Sequence, residues 1–251
     1  MHNELFKIGG LTFYTYGFMI AIGIGLGYVV AQKRGKKLGM NVEVFDSLAI
    51  WLFGFGFLGS KILYWITIID QIAMNPSILF NLMDGYVVYG GIIGGIIGGY
   101  LYCKKHNLNF LEYFDLLVPS VALAQAFGRI GCFFAGCCYG SVTDSPIGIT
   151  FPANSLAPAG IPLIPTQLFS SVFDFILFFV LITFARKKKT NGEVASLYLV
   201  LYSIGRFIIE IFRGDLIRGS VGTLSTSQFI SILVFIVGIT LFTLCRKSNV
   251  K

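Results

Sequence analysis

Charge is scarce in this chain: 12% of its 251 residues are Asp, Glu, Lys or Arg, where an ordinary soluble domain carries about 25%. That leaves too little polar surface to cover a water-facing globule, and a soluble fold is excluded. Histidine is nearly absent, with only His2 and His106. Neither falls in an apolar stretch, so no imidazole is available deep in a membrane. Proton transfer there must use Glu210, a tyrosine, a cysteine or water. Nucleophile elbows, phosphate-binding P-loops and His-Glu-x-x-His motifs are also missing. The start, Met1-His2-Asn3-Glu4, lacks a basic n-region, and no small-residue cleavage site follows, so the first apolar stretch reads as an uncleaved span. No segment is long or polar enough for a second, soluble domain, and residues 1–251 read as a single integral membrane domain.

What is present is apolar: 55% hydrophobic residues, 25 of them Phe. Roughly 20 consecutive apolar residues cross the hydrocarbon of a bilayer. Seven stretches qualify, at about 13–31, 45–69, 86–103, 116–135, 167–185, 194–213 and 226–245. The fold class is therefore all-α, a polytopic membrane protein with about seven transmembrane helices. The third stretch contains Gly90-Gly91-Ile92-Ile93-Gly94-Gly95 and continues to Gly98-Gly99. Small residues repeating every four positions let another helix approach closely.

Orientation follows from Lys and Arg, which accumulate on the cytoplasmic side. Lys33, Arg34, Lys36 and Lys37 follow the first span, Lys104 and Lys105 the third, and Arg186, Lys187, Lys188 and Lys189 the fifth. Arg246, Lys247 and Lys251 end the chain. Thirteen of the 19 basic residues thus fall on one side, while connections 70–85 and 136–166 contain none. The N-terminus is expected outside and the C-terminus in the cytoplasm. A net charge of +7 would suggest nucleic acid in a soluble protein. Here topology accounts for it, and no nucleic-acid partner is expected.

Six basic residues remain: Lys7 and Arg218 in external segments, and Lys61, Arg129, Arg206 and Arg213 within or at the end of spans. A charge there costs at least a few kcal/mol and needs a partner or a wet cavity. At about 1.5 Å per residue, Lys61, Arg129 and Arg206 each lie on the order of 10 Å inside the external boundary, and Arg213 lies at it. Tyr16, Tyr89, Gln167 and Gln228 sit at the same level, and Glu210 is one turn from Arg206. Arg206 could pair structurally with Glu210 or with Asp174. Several cations at one depth, with fewer acids to neutralise them, instead favour an anion site. The anion available at that level is a phospholipid headgroup, which the planar guanidinium fork suits.

Three of the five cysteines lie close together, in Gly128-Arg129-Ile130-Gly131-Cys132-Phe133-Phe134-Ala135-Gly136-Cys137-Cys138-Tyr139-Gly140. A zinc site would want four ligands at more regular spacing, and a disulfide is open to them on an oxidising face. The favoured reading is small packing residues beside a functional arginine, with no metal or cofactor.

These residues resemble the bacterial prolipoprotein diacylglyceryl transferases. The Gly128–Gly140 segment is similar to that family's Gly-Arg-x-Gly-Asn-Phe-x-Asn-x-Glu-x-x-Gly signature, and Pro165-Thr166-Gln167-Leu168-Phe169 to its Pro-x-Gln-Leu-Tyr element. Arg206-Phe207-Ile208-Ile209-Glu210-Ile211-Phe212-Arg213 matches its Arg-Phe-x-x-Glu-x-x-Arg run, Leu224-Ser225-Thr226-Ser227-Gln228 its Ser-Met-Gly-Gln element, and Asp84-Gly85 through Gly90-Gly91 its Gly-Gly segment. The resemblance covers almost the whole chain. It implies a multi-pass enzyme of the bacterial cytoplasmic (inner) membrane. Such an enzyme moves the diacylglyceryl group of phosphatidylglycerol to the lipobox cysteine in a preprolipoprotein signal peptide, releasing glycerol phosphate.

On that resemblance Arg129, Arg206, Glu210 and Tyr89 are the expected catalytic residues. Arg129 and Arg206 would hold the phosphate, and Glu210 would orient Arg206 or handle a proton. Tyr16, Lys61, Gly90, Gly91, Cys132, Gly140, Gln167, Arg213 and Gln228 are the expected substrate-binding residues. The chain departs from the family's pattern in places. Tyr89 stands where the family has histidine, Cys132, Ala135 and Cys137 where its signature has Asn, Asn and Glu, and Lys61 where it has an arginine. A divergent paralogue with another acceptor, a transporter of an anionic lipid and a non-catalytic lipid-binding protein are the alternatives. Against transport stand the missing internal repeat and polar groups skewed from the midplane. Connection 136–166, rich in Gly, Pro, Ser and Thr, is expected to be irregular structure over the site, where a signal peptide could dock.

Overall fold

The computed structural model describes residues 4–9, 11–41, 43–81, 84–215 and 219–247; His2, Arg218 and Lys251 lie outside them. In chain order the elements are β1 (Glu4–Ile8), β2 (Leu11–Tyr14), α1 (Thr15–Lys37), α2 (Glu43–Thr67), α3 (Ile69–Met74), a 3-10 turn (Pro76–Phe80), α4 (Val88–Lys105) and α5 (Phe110–Ala135). Then come β3 (Ile149–Thr150), β4 (Pro162–Leu163), α6 (Thr166–Ala185), α7 (Glu193–Ile211), β5 (Ser220–Val221), β6 (Leu224–Ser225) and α8 (Thr226–Lys247). The strands form three antiparallel two-stranded ribbons, β1–β2, β3–β4 and β5–β6.

Lipid offers no hydrogen bonds, so an apolar segment that crosses it must satisfy its own backbone, and a helix does so. Among the described residues six helices are long and apolar enough to cross: α1, α2, α5, α6, α7 and α8. The expected span 86–103 is a helix too, but α4 is only 18 residues long, with six glycines and a terminal Lys104-Lys105 pair, so it offers no apolar stretch of that length clear of the lysines. The molecule is thus a polytopic all-α membrane protein.

The backbone divides into two compact units, one comprising Met1–Arg34 with Leu111–Lys251 and the other Gly35–Phe110. In the first, Val118 and Ala122 of α5, Leu177 and Leu181 of α6, and Val194, Ala195 and Tyr198 of α7 form the core. The outward faces of α6, α7 and α8 carry Phe179, Ile208, Ile236 and Val237, each half or more exposed. That arrangement is stable only where the solvent is hydrocarbon. Two polar ties fix the end of this unit that bears the basic connections. The Arg34 guanidinium donates to the Leu116 carbonyl at 2.5 Å. The buried Asp115 carboxylate accepts the N–H groups of Gly192 and Ala195, both at 2.8 Å, and pairs with Lys188 at 3.0 Å. Asp115 therefore caps α7 from a different helix, satisfying orphan donors that the first turn cannot satisfy itself.

Segment 136–166 is less irregular than its composition suggests. It folds into the β3–β4 ribbon with further bridges at Val142–Leu163 and Phe151–Ala159. Phe151, Ala157 and Leu163 bury against Phe133 and Tyr139 as a small core of their own. Enough apolar side chains lie among the turn residues to close it.

The second unit is built on the α2–α4 pair. Gly59, Gly90 and Gly94 form its seam: a Cβ at Gly90 would strike the Gly59 carbonyl, and one at Gly94 the Phe55 carbonyl. Only hydrogen side chains allow backbones this close. Lys61 of α2 is buried. Its Nζ donates to the carbonyls of Asn81 and Asp84, both at 2.6 Å, and lies 5.0–5.9 Å from the ring centroids of Tyr86, Tyr64 and Trp65.

Candidate functional site

Within the first unit, three arginines gather where α5 and α7 end away from the basic connections. Arg129 lies on the last turns of α5, Arg206 lies near the end of α7, and Arg213 lies just past that end. Their surroundings differ. Arg206 Nη2 is 2.7 Å from Glu210 Oε2 and donates to the Ser227 hydroxyl at 2.9 Å. The Oε2 contact is close but poorly aligned for a hydrogen bond, so charge holds it. The other Glu210 oxygen accepts the Ser225 hydroxyl at 3.2 Å. Arg213 grips Asp215 with two parallel bonds of 2.9 and 2.7 Å.

Arg129 is the exception. Among the described residues its guanidinium makes no hydrogen bond and no ion pair; it interacts at longer range with Tyr202, Cys132, Asp174 and Cys138. Asp174, 2% exposed on α6, faces both Arg129 and Arg206 without touching either closely enough for an ion pair. The expectation of fewer acids than cations is corrected for the three arginines of this unit. Asp174, Glu210 and Asp215 match the three arginines in number, and Asp215 escaped notice because it lies beyond the apolar run. The unsatisfied charge is concentrated on one guanidinium instead.

The chain that leaves α5 is pinned around these groups. Gly136, at φ +73°, reverses it after Ala135. The Cys137 N–H donates to the Cys132 carbonyl at 3.1 Å, and Gln167 Nε2 and the Thr166 hydroxyl donate to the carbonyls of Cys137 and Cys138, both at 2.8 Å. Gln167 is 1% exposed, and its Oε1 has no partner among the described residues. Gly140 bridges to Arg213, and a Cβ there would meet the carbonyls of Ile164 and Phe212. Gly140 thus holds the α7 end against the loop. Tyr16 at the start of α1 lies against Gly131 and interacts electrostatically with Arg129 and the three thiols.

All five cysteines are thiols. Sulfurs of Cys132, Cys137 and Cys138 lie within 4.8 Å of one another. Cys138 is held below the ordinary cysteine range by hydrogen bonds with Cys132 and Cys137 and by the guanidinium groups of Arg213 and Arg129. Cys137, bonded to the same two thiols, is pushed up.

The structure thus brings together Arg129, Arg206, Glu210, Arg213, Cys132, Gly140, Gln167, Tyr16 and Gln228. Gln228 does something unforeseen. Its Oε1 accepts the Ser225 N–H at 3.0 Å while Ser225 Oγ accepts the Gln228 N–H at 3.1 Å, a reciprocal cap on α8. Its side-chain oxygen is therefore occupied in shaping the helix start. Tyr89, Gly90, Gly91 and Lys61 belong to the second unit. Tyr89 is partly exposed, Gly90 and Gly91 face α2, and the Lys61 ammonium is satisfied by carbonyls and rings. Residues that the sequence did not single out are Tyr202, which lies between Arg129 and Arg206 electrostatically, and Ser225, Ser227 and Asp215. Tyr202 carried a signal only in hindsight: it lies one turn before Arg206 on the same helix face.

The site is thus a cluster of arginines among the apolar helices of a membrane protein, with the half-buried Arg129 guanidinium left without a hydrogen bond or ion pair among the described residues. Comparison with known proteins narrows the class. The family model for prolipoprotein diacylglyceryl transferase matches residues 3–244. A phosphatidylglycerol–prolipoprotein diacylglyceryl transferase of Clostridium tetani is 51% identical over 98% of this chain and 98% of its own. One of Clostridium perfringens, numbered 2, is 51% identical over 100% and 98%, and one of Thermotoga maritima is 33% identical over 99% and 86%. The chain belongs to the prolipoprotein diacylglyceryl transferase family.

Proposed function

We propose that this protein transfers the diacylglyceryl group of phosphatidylglycerol to the lipobox cysteine thiol of preprolipoproteins, releasing glycerol phosphate. The observation that carries the reading is Arg129. A half-buried guanidinium at membrane depth without a close counter-ion is costly, and a phosphate diester supplies the partner it lacks. The acceptor thiol gives up its proton to solvent and its sulfur attacks the glyceryl carbon; the bond between that carbon and the phosphate oxygen breaks, and the phosphate leaves with the electron pair. Charge on the departing phosphate grows as that bond lengthens. Arg129 stabilises it in a poorly solvated site, where fixed charges act strongly.

Arg206 is the second phosphate ligand, aimed by Glu210 and Ser227. The orphan Gln167 Oε1 accepts a hydrogen bond from a glycerol hydroxyl. Arg213, satisfied by Asp215, acts through Gly140 to hold the loop over the site, and Cys132 and Tyr16 line the lipid's path. Gln228 supports Ser225 and, through it, Glu210. The expected roles of Gly90 and Gly91 rest on family resemblance, and those of Tyr89 and Lys61 on that resemblance together with their depth along the sequence. Across the whole chain we infer one membrane domain of seven spans, counting α4. Its N-terminus is outside and its C-terminus inside a bacterial cytoplasmic membrane, and the signal peptide docks on segment 136–166.

The test is reconstitution of the purified protein with labelled phosphatidylglycerol and a synthetic lipobox peptide, followed by mass spectrometry of the peptide. A diacylglyceryl adduct on cysteine, lost in Arg129→Ala, is the expected result. Intact lipid and unmodified peptide, beside a working family enzyme, would overturn the reading in favour of transport or binding.

A further inference from the structure

We propose that Cys132, Cys137 and Cys138 form a three-thiolate site for a zinc-class divalent cation. The inference begins with distance. The three sulfurs lie within 4.8 Å of one another, and thiolates sharing one zinc at about 2.3 Å each sit roughly 3.8 Å apart. The site closes by movement of about 1 Å, within reach of side-chain rotation. The backbone is already set for it. Cys138 occupies left-handed backbone space at φ +63°, and Gly136 does so at +73°. A non-glycine residue seldom adopts that conformation, and such strain gathers at functional positions. Here it turns two loop thiols back onto the last turn of α5. The bonds that fix the loop run to the carbonyls of Cys132, Cys137 and Cys138 from Cys137 N–H, Gln167 and Thr166. The frame is thus held through the backbone, and packing alone asks for no such frame.

Charge agrees with a metal complex. Three thiolates around a divalent ion carry a net charge of −1, and Arg129 and Arg213 both interact electrostatically with this cluster. A disulfide would use two sulfurs and leave the third without purpose in the triangle.

Three protein ligands leave a tetrahedral ion one open position, the pattern of catalytic rather than structural zinc. Resting on the transferase reading, we assign that position to the acceptor thiol. Coordination deprotonates a thiol outright: the S–H bond breaks, the sulfur binds the metal and the proton passes to solvent. The activation then needs no imidazole, and neither histidine of this chain lies within an apolar span.

The experiment uses the full-length protein in detergent, stripped of metal and titrated with Cd2+ and with Zn2+. Bound metal is counted by mass spectrometry, and sulfur-to-cadmium charge transfer is read in the ultraviolet. One equivalent per chain with that absorption is expected. Cys103→Ser should keep it, and the triple variant Cys132→Ser, Cys137→Ser, Cys138→Ser should lose it. Wild-type protein that binds no metal beyond the level of the triple variant overturns the site, and the wild-type titration decides even if the variant misfolds. A lipobox peptide should then intensify the charge-transfer band, and its cysteine-to-serine counterpart should not. Equal responses to both peptides overturn the fourth ligand. Peptide modification that runs equally fast in stripped and loaded protein overturns metal activation while leaving the transferase reading intact. Metal binding without any lipid transfer does the reverse.

Discussion

Arg206 holds Glu210 one helical turn away at 2.7 Å, and each of the two also reaches the start of α8, Arg206 through Ser227 and Glu210 through Ser225. An ion pair that is nearly dry, with side chains 13% and 4% exposed, therefore doubles as the fastening between two spans. Removing one partner strands the other. Glu210→Ala should cost about 3–5 kcal/mol, as breaking buried pairs does, whereas Arg206→Met with Glu210→Leu should recover much of it. Thermal unfolding in detergent of the two singles and the double decides. A double variant no more stable than Glu210→Ala would remove the coupling argument.

Arg129 and Arg213 should separate in the opposite sense. Arg129→Ala is expected to lower kcat/KM about 100- to 1000-fold, the scale for losing one preorganised donor to a transition-state oxyanion, with unfolding temperature unchanged or raised. Arg129→Lys should recover little, because an ammonium lacks the bidentate fork. Arg213→Ala should instead reduce stability, because it removes both hydrogen bonds that Arg213 donates to Asp215. Parallel kinetics and melting curves check this, and wild-type activity in Arg129→Ala would sink the site.

Asp115 makes a third case, remote from the site. Asp115→Asn keeps the shape but weakens the contacts to Gly192, Ala195 and Lys188. A loss of about 1.5–3 kcal/mol follows, the range for hydrogen bonds to charged groups. Amide exchange should speed up in the first turn of α7 and remain slow in its middle.

Neighbouring glycines of α4 should behave unlike one another. Gly94→Val drives a side chain into the Phe55 carbonyl, whereas at Gly95 the nearest atom beyond the helix is the Leu52 carbonyl, 3.9 Å from an added Cβ. Expression level and melting temperature should fall sharply for Gly94→Val and change little for Gly95→Val. Equal effects would mean that glycine content, and not the seam, is what matters.

The helices were legible because a bilayer imposes a length and a composition that few other structures share, and the six long apolar ones lie within a few residues of the expected spans except at the end of α1, which runs six residues further to Lys37, and at the start of α5. There Glu112 and Asp115 interrupt the apolar run and hide six residues of helix, Phe110–Asp115. The arginines were legible as misfits in an apolar background. Their partners were not, because pairing is a matter of angle as well as spacing. Asp215 lies outside every apolar run, and Gln228 reads equally as a ligand residue or a helix cap until Ser225 is seen bonded to it. The convergence of three thiols depends on two left-handed residues, Gly136 and Cys138, whose backbone angles leave no periodic trace in the sequence.

The close α2–α4 seam also constrains how the protein is made. With six glycines and a lysine pair, α4 gains little on its own by leaving the insertion machinery for lipid; it gains a great deal once α2, synthesised earlier, offers a matching groove. The two helices should therefore enter the bilayer as a hairpin. A truncated chain ending after α3 should insert α2 normally, while α4 deprived of α2 should slip back to the aqueous side.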